Sequence, residues 1–170
     1  MAYLRLILDT SPLITLCKFK VRGQLIVDYL LPIFDLQVVE TVAQEATANP
    51  AYTDAKVVQQ LLNGKQLTQL PVPTTSIDAI INGYTRLGLG EQDTIRLGIT
   101  NSANIVLDDY LAFVVGTRFD LRPLLLLDLL VLAAREYNLD KAIALEIVDA
   151  IQVRYSSPFV EHTRHKLKVL

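Results

Sequence analysis

The sequence predicts an α/β protein, a three-layer α/β/α sandwich around a central parallel sheet. Two observations lead to this class. Short apolar runs such as YLRLILD (residues 3–9) and NIVLDD (104–109) are typical of strands that are covered on both faces. Stretches in which apolar residues recur with helical spacing alternate with these runs, and this order indicates parallel strands connected by helices.

Each element of the first half has its own local signal. Pro12 suits the first turn of a helix after the opening strand, Pro32 ends a second helical stretch, and Asn63-Gly64 marks a turn. Val42, Ala43 and Ala46 share one face of a helix. The expected elements are a strand at 3–9, a helix from Pro12, a helix at 24–31, a strand at 34–39, and helices at 39–49 and 53–62.

The second half is read in the same way. QLTQL is a weaker strand signal that stops at the prolines of PVP, and the flexible GLG precedes a helix. The expected elements are a strand at 66–70, helices at 76–87 and 91–101, a strand at 104–109, and helices at 110–115, 124–137 and 140–154. FVEHTRHKLKVL, with His162 and His165, is expected to be a solvated or RNA-contacting basic tail.

Composition limits the class of protein further. At 170 residues and 51% hydrophobic, the chain is expected to form a single domain over residues 1–170. The net charge of −2 neither predicts nor excludes a nucleic-acid partner. Cys17 is the one cysteine and no signal peptide is visible, so we expect a cytoplasmic protein. LLLLDLLVLAA is too short to span a membrane and contains Asp128, which predicts a buried helix and no membrane partner.

Acidic residues follow the predicted strands. Asp9 closes the first strand, and Asp108 and Asp109 close the last one. In open α/β sheets, ligands bind beyond the carboxyl ends of the strands. Glu45 lies at the edge of the apolar face of its helix, so it can point along the sheet. Glu91 and Asp93 lie in the first turn of the helix that leads into the last strand.

Carboxylates that converge repel one another and require a cation. Mg²⁺ or Mn²⁺ suits a set of oxygen ligands and would support metal-assisted hydrolysis of phosphodiester bonds. Glu91 shares a helix face with Ile95 and is favoured over Asp93, which lies about 200° around the helix. Asp109, just past the strand, is favoured over Asp108. The candidate metal ligands are Asp9, Glu45, Glu91, Asp93 and Asp109.

Each acidic residue also has a structural interpretation. Asp9 can be a helix cap, Glu91 and Asp93 can complement a helix dipole, and the pair at 108 and 109 can cap the next helix. Glu45 can be a solvated helix residue. All of these interpretations would have to hold together for the site to be absent.

ILDTSPLI, VVETVAQEA, GLGEQDTIRLG and IVLDDYLAF occur in an order that resembles the PIN domain, a family of metal-dependent ribonucleases. The resemblance covers residues 1–117 and implies a parallel α/β/α fold, a Mg²⁺ or Mn²⁺ site and an RNA substrate. It also implies catalytic Asp9, Glu45, Glu91 and Asp109, with Thr10 or Ser11 assisting by hydrogen bonds. Leu107 departs from the family, which often has a hydroxyl residue there.

The resemblance to toxins of toxin–antitoxin pairs implies an antitoxin protein as a possible partner. Residues 118–170 are expected to form a helical extension of the same domain, with a role in dimerisation or in partner binding. One alternative is a non-catalytic PIN-like module for RNA binding or assembly. Another is a phosphohydrolase with an aspartate nucleophile, similar to haloacid-dehalogenase-like enzymes, but that family has a second acid two residues after the first, where Ser11 stands here.

Overall fold

The computed structural model describes residues 4–170, so Tyr3, predicted to open the first strand, lies outside the described residues. A four-stranded parallel sheet forms the centre, with the strand order β5-β4-β1-β6. Its strands are β1 (Leu4–Leu8), β4 (Phe34–Val39), β5 (Thr68–Leu70) and β6 (Asn104–Val106). The last three residues of β1 are fully buried, as a central strand between two helical layers requires.

Helices and a small hairpin complete the chain. The hairpin consists of β2 (Lys20–Val21) and β3 (Gln24–Leu25). The helices are α1 (Thr10–Lys18), α2 (Ile26–Leu30), α3 (Glu40–Thr47), α4 (Thr53–Asn63), α5 (Asp78–Asn82), α6 (Leu89–Asn101), α7 (Tyr110–Arg118), α8 (Leu126–Glu136), α9 (Lys141–Ile151) and α10 (Ser157–Lys168). A 3-10 turn, Gln152–Arg154, follows α9.

The direction of the crossovers produces the layers. From β1 to β4 to β5 the chain advances across the sheet, whereas from β5 to β6 it returns past β4 and β1. Because parallel crossovers are right-handed, the two sets of helices cover opposite faces. Accordingly, α1, α3 and α4 pack on one another, and α6 packs on β4, β1 and β6. The predicted three-layer α/β/α class is confirmed.

This reversal creates a switch point between β1 and β6, whose carboxyl ends lie side by side. Asp9 follows β1 directly, and its backbone N–H donates to the carbonyl of Val106 (3.1 Å). Asp108 follows β6 by two residues. The topology therefore brings the acids of the first and last strands to the same edge of the sheet.

The predicted helix at 24–31 begins too early. Arg22 and Gly23 both have positive φ (51° and 82°), the geometry of a tight hairpin turn, so Gln24 and Leu25 form β3 instead. The helix covers only Ile26–Leu30. The predicted helix at 76–87 is likewise shorter, Asp78–Asn82, because it ends at Gly83 and the chain turns there.

Two other boundaries differ near the site. The predicted strand at 104–109 is shorter and ends at Val106. The segment at Leu124 lies beside the end of this strand and extends the sheet, and the N–H of Leu107 donates to the carbonyl of Leu124 (2.9 Å). The predicted basic tail is wrong as a structural description. Residues 157–168 form α10, which buries Val160 and Leu167 against α8 and α9. His162 and His165 are on its exposed side.

Between residues 4 and 170, no helix combines the length and the apolar character needed to cross a membrane. The LLLLDLLVLAA run forms most of α8, which buries Leu126, Leu127, Leu129 and Leu130. This agrees with its interpretation as a core helix.

Candidate functional site

Asp9 has a buried carboxylate with an unpartnered oxygen. The residue occupies the N-cap position of α1, yet its side chain makes no capping hydrogen bond. It is 3% exposed, and its Oδ1 has no hydrogen-bond partner among residues 4–170. The interpretation of Asp9 as a helix cap is therefore wrong for the side chain. An unsatisfied buried carboxylate oxygen costs free energy, so this atom suits a cation or a proton.

Burial raises the pKa of Asp9 from 3.8 to about 7. The backbone N–H of Thr10 opposes this rise, whereas the negative charges of Glu91, Glu45 and Asp108 add to it. Each of these charges favours the neutral acid when no cation is near. The same surroundings would favour a divalent cation, which compensates several carboxylates at once.

Glu45 is held in place by two donors. Thr10 Oγ1 donates to its Oε2 (2.5 Å), and the backbone N–H of Gly90 donates to its Oε1 (3.1 Å). The two donors come from α1 and α6, so Glu45 on α3 links the helical layers on opposite faces of the sheet. The solvated interpretation of Glu45 is incomplete, because the residue is exposed but both carboxylate oxygens have protein donors.

Glu91 and Asp93 point in different directions from α6. Glu91 is half-buried, and its Oε2 accepts from the N–H of Gly88 (2.8 Å), as in a capping box. Burial raises the pKa of Glu91, and the charges of Asp109 and Glu45 contribute to the rise. Glu91 thus belongs to the same electrostatic cluster as Asp9, and it also stabilises its own helix start.

Asp93 lies inside the protein with both oxygens occupied. Thr41 Oγ1 donates to Oδ2 (2.5 Å), and Arg96 Nη1 donates to Oδ1 (2.5 Å). Arg96 also contacts Asp78 (3.0 Å) and Asn82 (2.5 Å), so this guanidinium connects α6 to α5. Residues 92–98 of α6 are all buried, so Asp93 is enclosed although it lies on a different face of the helix from Glu91.

Asp108 and Asp109 organise the helices that follow β6. The half-buried Asp108 accepts from the N–H of Leu126 (3.0 Å) and from the Tyr155 hydroxyl (2.6 Å). Burial raises its pKa, while these two donors and the charge of Arg154 oppose the rise. Asp109 is exposed, and its Oδ1 accepts from the N–H of Ala112 (2.9 Å), so it caps α7. The capping interpretation is correct for Asp109.

The predicted residues therefore fall into two groups. Asp9, Glu45, Glu91, Asp108 and Asp109 share an electrostatic neighbourhood at the switch-point edge, whereas Asp93 belongs to the Arg96 cluster. Ser11 lies at the same edge and accepts from Arg154 (3.1 Å). Within residues 4–170, no three acidic, histidine or cysteine side chains are arranged closely enough to hold a metal ion.

Several residues at this edge and around Asp93 were not predicted from the sequence. Arg96 had a usable signal, because it lies three residues after Asp93 on a helix, where opposite charges pair. Gly90 had a partial one in the GLG that precedes α6. Thr41, Arg154 and Tyr155 gave no local signal, since their partners are 52, 143 and 47 residues away in sequence.

The parallel sheet, its two helical layers and the acids at its switch point define the class, an α/β/α protein with an acidic edge beyond the sheet. A family model described as a PIN domain matches residues 5–168, and the chain belongs to the PIN-domain family. The match includes the C-terminal helices α8, α9 and α10 as well as the acidic motifs. PIN domains are generally nucleases and typically use divalent metals. No curated protein and no solved structure matched the chain.

Proposed function

We propose that the chain is a Mg²⁺- or Mn²⁺-dependent endoribonuclease that hydrolyses RNA phosphodiester bonds at the switch-point edge. One observation carries the proposal above all. Asp9 Oδ1 is buried without a partner at the end of the central strand, and three further carboxylates raise the pKa of Asp9. A buried polar atom without a protein partner is consistent with a stable fold when a bound ligand supplies that partner.

The chemistry of the residues at the edge suits a hard divalent cation, although within residues 4–170 no three of these side chains stand close enough to hold one without moving. Every group in the cluster is a carboxylate or hydroxyl, the donor set that Mg²⁺ and Mn²⁺ prefer. Asp9, Glu45, Glu91 and Asp109 would hold the ion. Asp93 would not bind the ion directly but would act as a positioning residue, because Thr41 and Arg96 already occupy its oxygens. When bound, the ion would activate water and stabilise charge on the phosphate.

The chain's own residues prepare this edge. Thr10 and Gly90 fix both oxygens of Glu45, so the carboxylate loses little rotational freedom when a ligand binds. Asp108 holds the start of α8 and the Tyr155 hydroxyl, which fixes one wall of the site. Asp109 orients α7 through its cap. These contacts place the acids before substrate arrives.

The test is a calorimetric titration of Mn²⁺ into the metal-free protein and into Asp9→Asn, paired with RNA cleavage by both. Asp120→Asn is the matched control, because Asp120 is exposed and carries the same charge. We expect Asp9→Asn to lose both metal binding and cleavage, with the control unchanged. Equal Mn²⁺ binding by wild type and Asp9→Asn would contradict the proposal.

A second candidate is a non-catalytic PIN-like module that binds RNA or assembles with partners. It is favoured by the absence of a three-ligand group within residues 4–170, and by the hydrogen bonds that already engage Glu45 and Asp109. Binding of RNA without cleavage in saturating Mn²⁺ would select this function. The aspartate-nucleophile phosphohydrolase has no support of this kind, because Ser11 occupies the position of its second acid.

The cellular role extends the same proposal. The relationship to the PIN-domain family supports a toxin that a small antitoxin protein holds inactive, in the cytoplasm. We also propose a single domain over residues 1–170 that forms a homodimer. Co-expression with the neighbouring reading frame and measurement of the solution mass would test these points.

A further inference from the structure

A groove of about 450 Å³ lies beside the acidic edge, between the starts of α7 and α8 and the segment that leads into α10. This volume falls within the roughly 300–1,000 Å³ that is usual for ligand sites. Asp108 belongs both to the groove wall and to the acidic edge, so the two are continuous. The other residues used below are Tyr110, Phe159, Tyr155, Arg154 and Asp128.

Two aromatic side chains in the groove are exposed. Tyr110 is 82% exposed and Phe159 is 55% exposed, although the core is otherwise well packed. They come from different helices, α7 and α10, and neither is part of the hydrophobic core cluster. Exposed aromatic faces that meet at one groove are typical of a binding surface. Planar bases stack on such faces without requiring a particular sequence.

Arg154 supplies positive charge where the groove meets the acidic edge. Its Nη2 donates to Ser11 Oγ (3.1 Å), and it makes no ion pair with a carboxylate within residues 4–170. A guanidinium that forms no ion pair keeps N–H donors for phosphate oxygens. The nearby Ser11 directly follows Thr10, which holds Glu45. A phosphate at Arg154 would therefore lie next to the candidate metal ligands.

The two acidic residues in the groove wall already have partners. Asp108 accepts from Leu126 and Tyr155, and Asp128 pairs with Lys166 (3.6 Å). Lys166 balances the charge of Asp128, and Arg154 lies close enough to Asp108 to lower its pKa, so each carboxylate has a cation nearby. The combination of exposed aromatic faces and a guanidinium that forms no ion pair within residues 4–170 favours a single-stranded nucleic acid over an apolar peptide, which would not use Arg154.

We propose that this groove binds a nucleotide of single-stranded RNA that flanks the phosphate held at the acidic edge, with its base on Tyr110 and Phe159 and its phosphate on Arg154. This inference rests on the proposed function for the identity of the substrate. In single-stranded RNA the bases are unpaired and free to stack on protein aromatics, whereas a duplex keeps them stacked inside. The groove would thus select unpaired RNA.

The experiment measures fluorescence anisotropy of a short labelled single-stranded RNA, with chelator present so that no cleavage occurs. The variants are Tyr110→Ala, Phe159→Ala and Arg154→Gln. The matched controls are Tyr52→Ala, which removes an exposed aromatic (61%) at the start of α4, and Arg118→Gln at the end of α7. A second probe has the same sugar–phosphate chain without bases.

Each aromatic variant is expected to weaken RNA binding roughly 5- to 100-fold, since stacking contributes about 1–3 kcal/mol per base. The same variants should bind the abasic probe as wild type does. Arg154→Gln should weaken binding of both probes and reduce the salt dependence by about one counterion. Both control variants should retain wild-type affinity for both probes.

The experiments give different results if the groove proposal is wrong and if the nuclease proposal is wrong. Cleavage by wild type in Mn²⁺, with groove variants that bind RNA as the controls do, would overturn the groove and leave the nuclease. Groove variants that lose RNA affinity while wild type never cleaves would support the groove and select the non-catalytic module. If wild type binds no RNA, the groove proposal is wrong. A change of solution mass in the groove variants would then assign the surface to a second copy of the chain.

Discussion

Gly90 and Glu45 fit together so closely that a side chain at position 90 would displace the Glu45 carboxylate. The N–H of Gly90 donates to Glu45 Oε1, and a Cβ built on Gly90 would lie 2.5 Å from Glu45 Oε2 and 3.0 Å from Cδ. The start of α6 therefore sets the orientation of a carboxylate on α3. The Gly90–Glu45 contact therefore determines whether the Glu45 carboxylate can bind the same ion as Asp9.

Gly90→Ala is expected to displace the Glu45 carboxylate and weaken Mn²⁺ binding about 10- to 100-fold, the usual effect of disturbing a group that orients a metal ligand. The fold should survive, because the far end of a flexible side chain can move. Calorimetric titration of Mn²⁺ checks the affinity, and circular dichroism checks the fold. Gly64→Ala, at the end of α4, is the control. Unchanged Mn²⁺ affinity in Gly90→Ala would show that Glu45 does not bind the metal.

Asp9 makes the stability of the metal-free protein depend on pH. Its pKa is about 7 in the folded protein against 3.8 ordinarily, so the folded state binds more protons between these values. Stability therefore falls as the pH rises from about 4 to about 7. Asp9→Asn should remove this pH dependence. The difference in unfolding free energy between Asp9→Asn and wild type should therefore shift in favour of the variant by up to about 4 kcal/mol between pH 4 and a pH above 7.

Urea denaturation of both proteins across this pH range, in chelator, measures the difference. Asp120→Asn carries the same loss of charge at an exposed position and should show no such trend. A constant difference between wild type and Asp9→Asn at every pH would mean that the pKa of Asp9 is the same in the folded and the unfolded protein. Added Mn²⁺ should reverse the ranking at high pH, since only wild type gains ligand stabilisation.

The Asp93–Arg96 pair is predicted to be structural. Both side chains are nearly buried, at 10% and 8% exposure, so removal of Asp93 leaves the buried Arg96 charge to be balanced by the more exposed Asp78 and removes its closest carboxylate partner. Asp93→Ala should lower the free energy of unfolding by about 3–5 kcal/mol. Glu136→Ala breaks the exposed pair with Arg135 and should cost less than about 1 kcal/mol. Denaturant unfolding gives both values.

A second substitution at this position, Asp93→Asn, separates positioning from metal binding. If Asp93 is only a positioning residue, the folded Asp93→Asn variant should keep a Mn²⁺ affinity within a few-fold of wild type, because the amide oxygen still accepts a hydrogen bond from Arg96. A loss as large as that of Asp9→Asn would instead place Asp93 among the ligands.

Tyr155 joins the C-terminal part of the chain to the acidic edge. Its hydroxyl donates to Asp108 Oδ2 at 2.6 Å, and burial and the charge of Asp108 raise the pKa of the phenol. Tyr155→Phe should destabilise the protein by about 1–3 kcal/mol, because the Asp108 carboxylate loses a donor in a half-buried site. Thermal unfolding measures the change. Tyr52→Phe, which alters an exposed tyrosine, should have no effect.

The sequence by itself determined the class of fold and the family. Apolar runs separated by helical spacings predict a parallel sheet, since burial on both faces requires continuous apolar strands. The acids at strand ends follow from the same pattern: Asp9 and Asp108 had to approach the edge where β1 and β6 pair. The boundary errors arose where local signals are weak, as at Gln24, which a two-residue turn places in a hairpin.

Only the tertiary structure decided which acids are available. The sequence could not tell that Thr41 would occupy the second oxygen of Asp93, or that Glu45 would be held by Thr10 and Gly90. It treated residues 159–170 as a tail, although α10 brings Phe159 to the groove beside Asp108. The physical reason is common to all of these. Periodicity and local propensity report which faces are buried, whereas the partner of a charge depends on residues that lie far apart in sequence and meet only in the packed fold.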